Sequence, residues 1–308
     1  MILEYEYFKN LLNQKLFEDS YSDLLRKIAD NPDRYIGIFR PTKPKTKLIQ
    51  NITQSHEIRF GDALEYLFEK YFQTTGFTLL PKRFRNNQDK EYNIDQLFAN
   101  GNTIFMIEQK VRDDHDSTKK VGQFNNFESK YFELTQLYPN YKIIPIMWFI
   151  DDSLRKNRKY YLSEMQKMAN DYACENFLFY GEEIFGEKGG ISDFDLKIWL
   201  EVLDYLELWK NTLPDMPEIN FDSKAEEVFN EIKDLPPIVF RKIFNNKDIV
   251  QQIFPIIFPT GKTLNFLKND FQNKKENIYQ TLATAIEDIL KIDRYLKVVL
   301  VKIDTPIS

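Results

Sequence analysis

The spacing of apolar positions changes several times along this chain. From residue 1 to 32, Phe8, Leu11, Leu12 and Leu16 recur at helical intervals and predict helix. Over 61–72, Leu64, Leu67, Phe68, Tyr71 and Phe72 fall at i, i+3, i+4, i+7 and i+8, the stripe of an amphipathic helix. The period then shortens to that of strands over 92–98 and 103–111, joined by Ala99-Asn100-Gly101-Asn102. Asn-Gly between two such runs is the strongest short-range hairpin signal. A helix with Phe124, Phe127, Tyr131 and Leu134 on one face follows. Strands over 141–149 and 176–180 come next, with a helix over about 163–174 between them.

After Gly189-Gly190 the pattern is helical again, with Leu196, Trp199, Leu203 and Leu206 in register over 194–210. Ser223-Lys-Ala-Glu226 reads as a capping box. A long helix over about 277–296 and a short strand over 298–303 complete the chain. The order α-β-β-α-β-α-β predicts an α/β (α+β) architecture, a mixed sheet flanked by helices. We expect a helical N-terminal arm over 1–60, a sheet-based core over 61–190 and a helical region over 191–308. The basic stretch Arg40-Pro-Thr-Lys-Pro-Lys-Thr-Lys47 contains two prolines, which a helix interior does not accept; it reads as an arm or a linker.

Composition narrows the function classes. Among 308 residues, 43% are hydrophobic and 15% aromatic, ample for a large core. The longest apolar run, about 143–150, is interrupted by Pro145 and falls far short of the ~20 residues of a membrane span. The N-terminus carries acids where a secretory signal carries Lys or Arg, so a cytoplasmic protein is expected. A single Cys174 and two histidines, His56 and His115, exclude a disulfide framework and an ordinary zinc site. Any metal is then a hard cation held by carboxylates. The net charge of −5 does not itself point to nucleic acid, although basic residues cluster locally. Pro259-Thr-Gly-Lys-Thr263 has Ile256 where a phosphate loop needs its first glycine, so that motif is rejected. Trp199 and Trp209 read as core or interface residues.

The hairpin carries the chemistry. With Asn100-Gly101 as a two-residue turn, cross-strand partners sum to 201, placing Asp95 opposite Met106 and Asn93 opposite Glu108. Side chains alternate along a strand, so Met106, Glu108 and Lys110 share one face, and Asp95 joins it through Met106. Asp95 and Glu108 are then diagonal neighbours with Cβ atoms ~7–8 Å apart or less, close enough to meet on one cation. Charged groups at 108 and 110 are costly in a strand as apolar as Ile104-Phe-Met-Ile107 unless they are paired or bind metal. Such a conflict between pattern and burial marks functional sites.

Asp95, twelve intervening residues and Glu108-Gln109-Lys110 resemble the PD-(D/E)XK nuclease motif, with Ile94 where the family's name has proline. The resemblance covers roughly 61–185. It implies a restriction-endonuclease-like core in which Asp95 and Glu108 hold Mg²⁺, Mn²⁺ being able to substitute, and Lys110 positions the attacking water. Glu65, in Gly61-x-x-x-Glu65, resembles the additional glutamate that completes the metal site, and Gln123 the polar residue that opens the following helix in many members. The polar segment after the second strand resembles those that approach DNA in restriction enzymes: Arg112, Lys119 and Lys120 would hold phosphates, and Asp114, His115 and Asp116 would read base edges. The resemblance is strongest to a type II restriction endonuclease cutting double-stranded DNA as a homodimer. The alternatives are a nuclease of repair or mobile elements, and a non-catalytic DNA-binding protein of the same fold.

Overall fold

The structure, a computed structural model, describes residues 1–86, 88–114, 116–186 and 190–292. In chain order the helices and strands are α1 (Tyr5–Phe17), α2 (Ser20–Asp30), α3 (Asp33–Ile36), α4 (Pro44–Thr74), β1 (Thr78–Leu79), β2 (Arg83–Arg85), β3 (Glu91–Asn93), β4 (Gln96–Asn100), β5 (Thr103–Lys110), α5 (Ser117–Leu137), β6 (Lys142–Phe149), α6 (Arg158–Tyr172), β7 (Phe177–Tyr180), α7 (Leu196–Lys210), α8 (Ala225–Ile232), α9 (Pro237–Phe244), α10 (Lys247–Gln252), α11 (Phe254–Ile257), α12 (Lys262–Asn273) and α13 (Asn277–Leu290). The chain divides into two units. One comprises Met1–Lys15 and Arg59–Leu213; the other comprises Leu16–Ile58 and the described part of Pro214–Ser308.

The first unit is built on a five-stranded mixed sheet of order β1-β4-β5-β6-β7. The β1–β4 and β4–β5 pairs are antiparallel, while β5–β6 and β6–β7 are parallel. Parallel neighbours need a crossover, and α5 and α6 supply them. One sheet face buries Ile94, Leu97, Ile104 and Met106 against Phe124, Phe127, Tyr131 and Leu134 of α5 and Tyr161, Met165 and Met168 of α6. On the other face Phe68 and Phe72 of α4 meet Trp148 and Phe98 edge-on, and Phe105 packs with Phe194. The predicted helix-flanked mixed sheet is the fold of this unit.

Several local expectations are corrected. The predicted strand over 92–98 is two strands: β3 pairs with β2 in a separate two-stranded sheet, β4 joins the main sheet, and the chain bends between them at Asp95. The hairpin partners sum to 203, as in Gln96↔Ile107 and Asn100↔Thr103. The turn is therefore Gly101-Asn102, with Gly101 at φ 54° in the first central position that the II′ class reserves for glycine. The predicted Asp95–Met106 pairing is lost, but a shift of two residues preserves parity and leaves every side chain on its expected face. On α7 the buried stripe is Ile198, Trp199, Val202 and Trp209, and Leu203 is exposed.

The second unit is helical. Leu24, Ile28, Tyr35, Leu48 and Ile52 pack with Phe240, Phe254, Leu264, Phe271 and Ile286. The basic stretch is only partly irregular: Pro44 opens α4, where a missing amide proton costs nothing. Ser223 does not form the predicted box; its hydroxyl donates to the Asn220 carbonyl and the helix begins at Ala225. The amides of Thr260 and Thr263 donate to the buried Asp222 carboxylate, which occupies the groups a phosphate would need. The expected strand over 298–303 and the last four residues of the helix predicted to reach 296 lie outside the described residues.

Candidate active site

Asp95 stands where β3 ends and β4 has yet to begin, and its side chain explains the break. Its Oδ2 accepts the backbone amide of Gln109 at 2.9 Å, taking the place a ladder carbonyl would fill. On the neighbouring strand Met106, Glu108 and Lys110 alternate onto the α5–α6 face, while Gln109 turns the other way and its side-chain carbonyl accepts a bond from Gln96. Asp95, Glu108 and Lys110, singled out from the sequence, are together. Lys110 Nζ lies 2.6 Å from Asp95 Oδ2 and 3.1 Å from Glu108 Oε1. Both carboxylates are buried, and two acidic oxygens converge on one cation where β4 begins and β5 ends, in the middle of the sheet.

Sequence reasoning missed three partners of this centre. Lys130 of α5, itself buried, donates to Glu108 Oε2 at 2.6 Å. Lys82 donates to the Asp95 carbonyl at 2.9 Å and pairs with Glu69 of α4. A signal for Lys130 was present: it lies three residues after Phe127 and four before Leu134, inside the apolar stripe of its helix, where a charge needs a buried partner. Lys82 has no such signature, because it sits in a run of basic residues that reads as a surface patch.

Electrostatics follow the burial. Desolvation, then the charge of Glu108, pushes the Asp95 carboxyl up, opposed by Lys110. Burial lowers Lys110, but Glu108 and Asp95 outweigh it and the ammonium is held above its ordinary range. Glu65, half-buried on α4, is pushed from 4.5 to about 8, first by desolvation and then by Asp95. Burial beside Asp95 thus favours its neutral form. Because its folded value exceeds its unfolded one, the stability it contributes is complete below about 4.5 and declines as pH rises towards 8. In urea melts with EDTA, wild type should lose about 1–2 kcal/mol more than Glu65→Gln between pH 6 and 9, a figure reduced for partial solvent screening. Parallel profiles would remove Glu65 from this electrostatic group.

The two-carboxylate arrangement fits a hard divalent cation. Among the described residues no three of His, Cys, Asp and Glu gather as a ligand group, although Glu65 feels the charge of Asp95. Mg²⁺ commonly takes one or two carboxylates, with waters and substrate phosphate filling its shell. The ammonium between Asp95 and Glu108 shows that both acids can face one positive charge.

The remaining predicted residues lie around the segment leaving β5. Arg112 is exposed and 3.8 Å from Asp151, and Asp114 is exposed. Asp116 caps α5, accepting the Lys119 amide at 2.9 Å, a bond that lowers its carboxyl. Lys119 is exposed, and Lys120 lies over the Tyr160 ring at 4.8 Å. Gln123 accepts from the Tyr161 hydroxyl at 3.0 Å. His115 lies outside the described residues. The segment is anchored by Asp113, unremarked in the sequence: fully buried, its carboxylate accepts from Asn157 N and Nδ2 and from the Tyr180 hydroxyl, each at 2.8 Å.

Residues 79–207 match the family model described as type II restriction endonuclease, HinfI. A stretch of 91 residues is 33% identical to the type II restriction enzyme HinfI of Haemophilus influenzae, covering 27% of this chain and 35% of that enzyme. The match thus spans about a third of the relative's length. No solved structure matches the chain. Among the described residues no helix is long and apolar enough to cross a membrane. Over its sheet-bearing segment the chain is similar to type II restriction endonucleases, and β4, β5 and the carboxylate–lysine centre all fall inside that segment.

Proposed function

We propose that this protein is a type II restriction endonuclease of the PD-(D/E)XK kind, hydrolysing phosphodiester bonds of double-stranded DNA with Mg²⁺. The observation that carries the reading is the convergence of Asp95 and Glu108 on Lys110 within the HinfI-like segment. Asp95 and Glu108 are the residues to hold the cation. Bound there, it would polarise the scissile phosphate and acidify a water. Lys110 orients the attacking water and balances negative charge growing on the phosphate, which a preorganised ammonium does at no reorganisation cost. Lys130 holds the second oxygen of Glu108, so the carboxylate presents one oxygen in a fixed direction. Arg112 and Lys119, both exposed, would hold DNA phosphates.

A plasmid digest tests the proposal. Discrete fragments are expected with Mg²⁺ or Mn²⁺ and none with EDTA. Smearing would point to a nuclease without site preference. No cleavage by folded, metal-loaded protein would defeat the enzymatic reading and leave DNA binding alone. One such centre among the described residues of each chain and two strands to cut call for a symmetric pair of subunits. Sedimentation should therefore give twice the monomer mass, free or on DNA; a monomer that cuts both strands in one encounter would refute the dimer.

A further inference from the structure

The loop between α3 and α4 in the helical unit presents its largest apolar side chains to solvent. Arg40 N donates to Gly37 O at 3.0 Å, closing a turn whose two central residues are Ile38 and Phe39. They are 90% and 98% exposed. Turn centres ordinarily take Gly, Pro, Asn or Asp, and adjacent exposed large apolar residues mark a contact surface. The base of the turn is fixed. Tyr35 is fully buried, and a Cβ on Gly37 would lie 2.5 Å from the Asp33 carbonyl oxygen. The apolar pair is therefore held outward by its foundation.

Charge identifies the partner. No Asp or Glu occurs between Asp33 and Glu57, although the chain holds 47 acids and is −5 overall. The same interval carries Arg34, Arg40, Lys43, Lys45 and Lys47. Arg34, Arg40, Lys43 and Lys45 are exposed, and none of the five is in a salt bridge among the described residues. Lys45 and Lys47 lie in the first turn of α4, which contains no acid. Cations there add to the positive end of the helix, an unfavourable placement that an anion relieves.

We propose that this turn is an accessory duplex-DNA contact: Arg40, Lys43 and Lys45 bind backbone phosphates, and Phe39 and Ile38 enter the minor groove as an apolar wedge between base steps. Apolar wedges flanked by cations unstack and kink duplexes in this way. The inference rests on the proposed DNA substrate but concerns different residues in a different unit.

Binding is measured by anisotropy in EDTA, on a short duplex carrying 2-aminopurine, so cleavage plays no part. Wild type should raise 2-aminopurine fluorescence on binding, and Ile38→Ser with Phe39→Ser should abolish the rise and weaken binding about tenfold or more. Replacing Arg40, Lys43 and Lys45 by Gln should reduce the slope of log affinity against log salt by about three, near 0.9 per lost phosphate contact. These positions are on the surface, so melting temperatures should not move. If wild type binds and cuts DNA but the variants match it in fluorescence and salt slope, the wedge is wrong and the nuclease reading stands. Were wild type to bind phosphatidylserine vesicles and not duplex DNA, a membrane surface would be the partner and the wedge proposal would be overturned. Duplex binding lost in the wedge variants while plasmid cutting is absent in all proteins would uphold the wedge and reject the catalytic proposal.

Discussion

Replacing Lys110 with alanine should lower single-turnover cleavage about a thousandfold, the scale of removing one preorganised donor from a reacting oxyanion. Specific DNA affinity, measured with Ca²⁺ in place of Mg²⁺, should change only a few-fold. The ammonium is wedged between Asp95 Oδ2 and Glu108 Oε1, so its loss also leaves two buried acids facing one another. Lys130 still offsets Glu108, but Asp95 loses its ion-pair partner. The variant should therefore be less stable than wild type without metal and gain more in melting temperature when Mg²⁺ is added. Equal thermal gain in the two proteins would mean that the acids are not the cation's ligands. Undiminished cutting would remove Lys110 from the chemistry altogether.

Replacing Lys130 with methionine should cost about 3–5 kcal/mol, the usual penalty for stranding one member of a buried ion pair. Both side chains of the Lys130–Glu108 pair are 6% exposed and their charged atoms are 2.6 Å apart, so little water can compensate. At ~2–4 °C per kcal/mol for a unit of this size, the melting temperature should fall by about 10 °C. Adding Glu108→Gln to Lys130→Met should recover a substantial part, since removing both charges leaves none stranded. A double variant whose loss equals the sum of the two single losses would show the pair to be energetically independent. Cleavage by the Lys130 variant, assayed well below its melting point, separates a packing role from control of Glu108. If only stability suffers, the lysine has no part in aiming the carboxylate.

The acid–acid–amine set was legible because it depends only on strand alternation. The turn was misplaced by one residue, yet the face assignment of Asp95, Glu108 and Lys110 held, since the partner sum moved from 201 to 203 and parity is insensitive to a shift of two. The α5 stripe was legible for the same reason, because Phe124, Phe127, Tyr131 and Leu134 obey a local period. What escaped depends on contacts distant in sequence. The break between β3 and β4 follows from a side chain binding an amide fourteen residues away, and the Lys82–Glu69 pair joins a strand approach to a helix. Neither leaves a periodic trace. Likewise α4 runs from Pro44 through Thr74, with its first part in the helical unit and its remainder in the sheet unit. Periodicity marks a helix but not which core each of its turns will serve.

The dual employment of Asp95 bears on how its importance can be measured. One oxygen both receives the Gln109 amide and meets the Lys110 ammonium. Alanine there would unfasten the start of the hairpin and erase a charge in one stroke, so an inactive alanine protein would be ambiguous. Asparagine retains a carbonyl for the amide while discarding the negative charge, and it alone lets the scaffold and the reaction be interrogated separately.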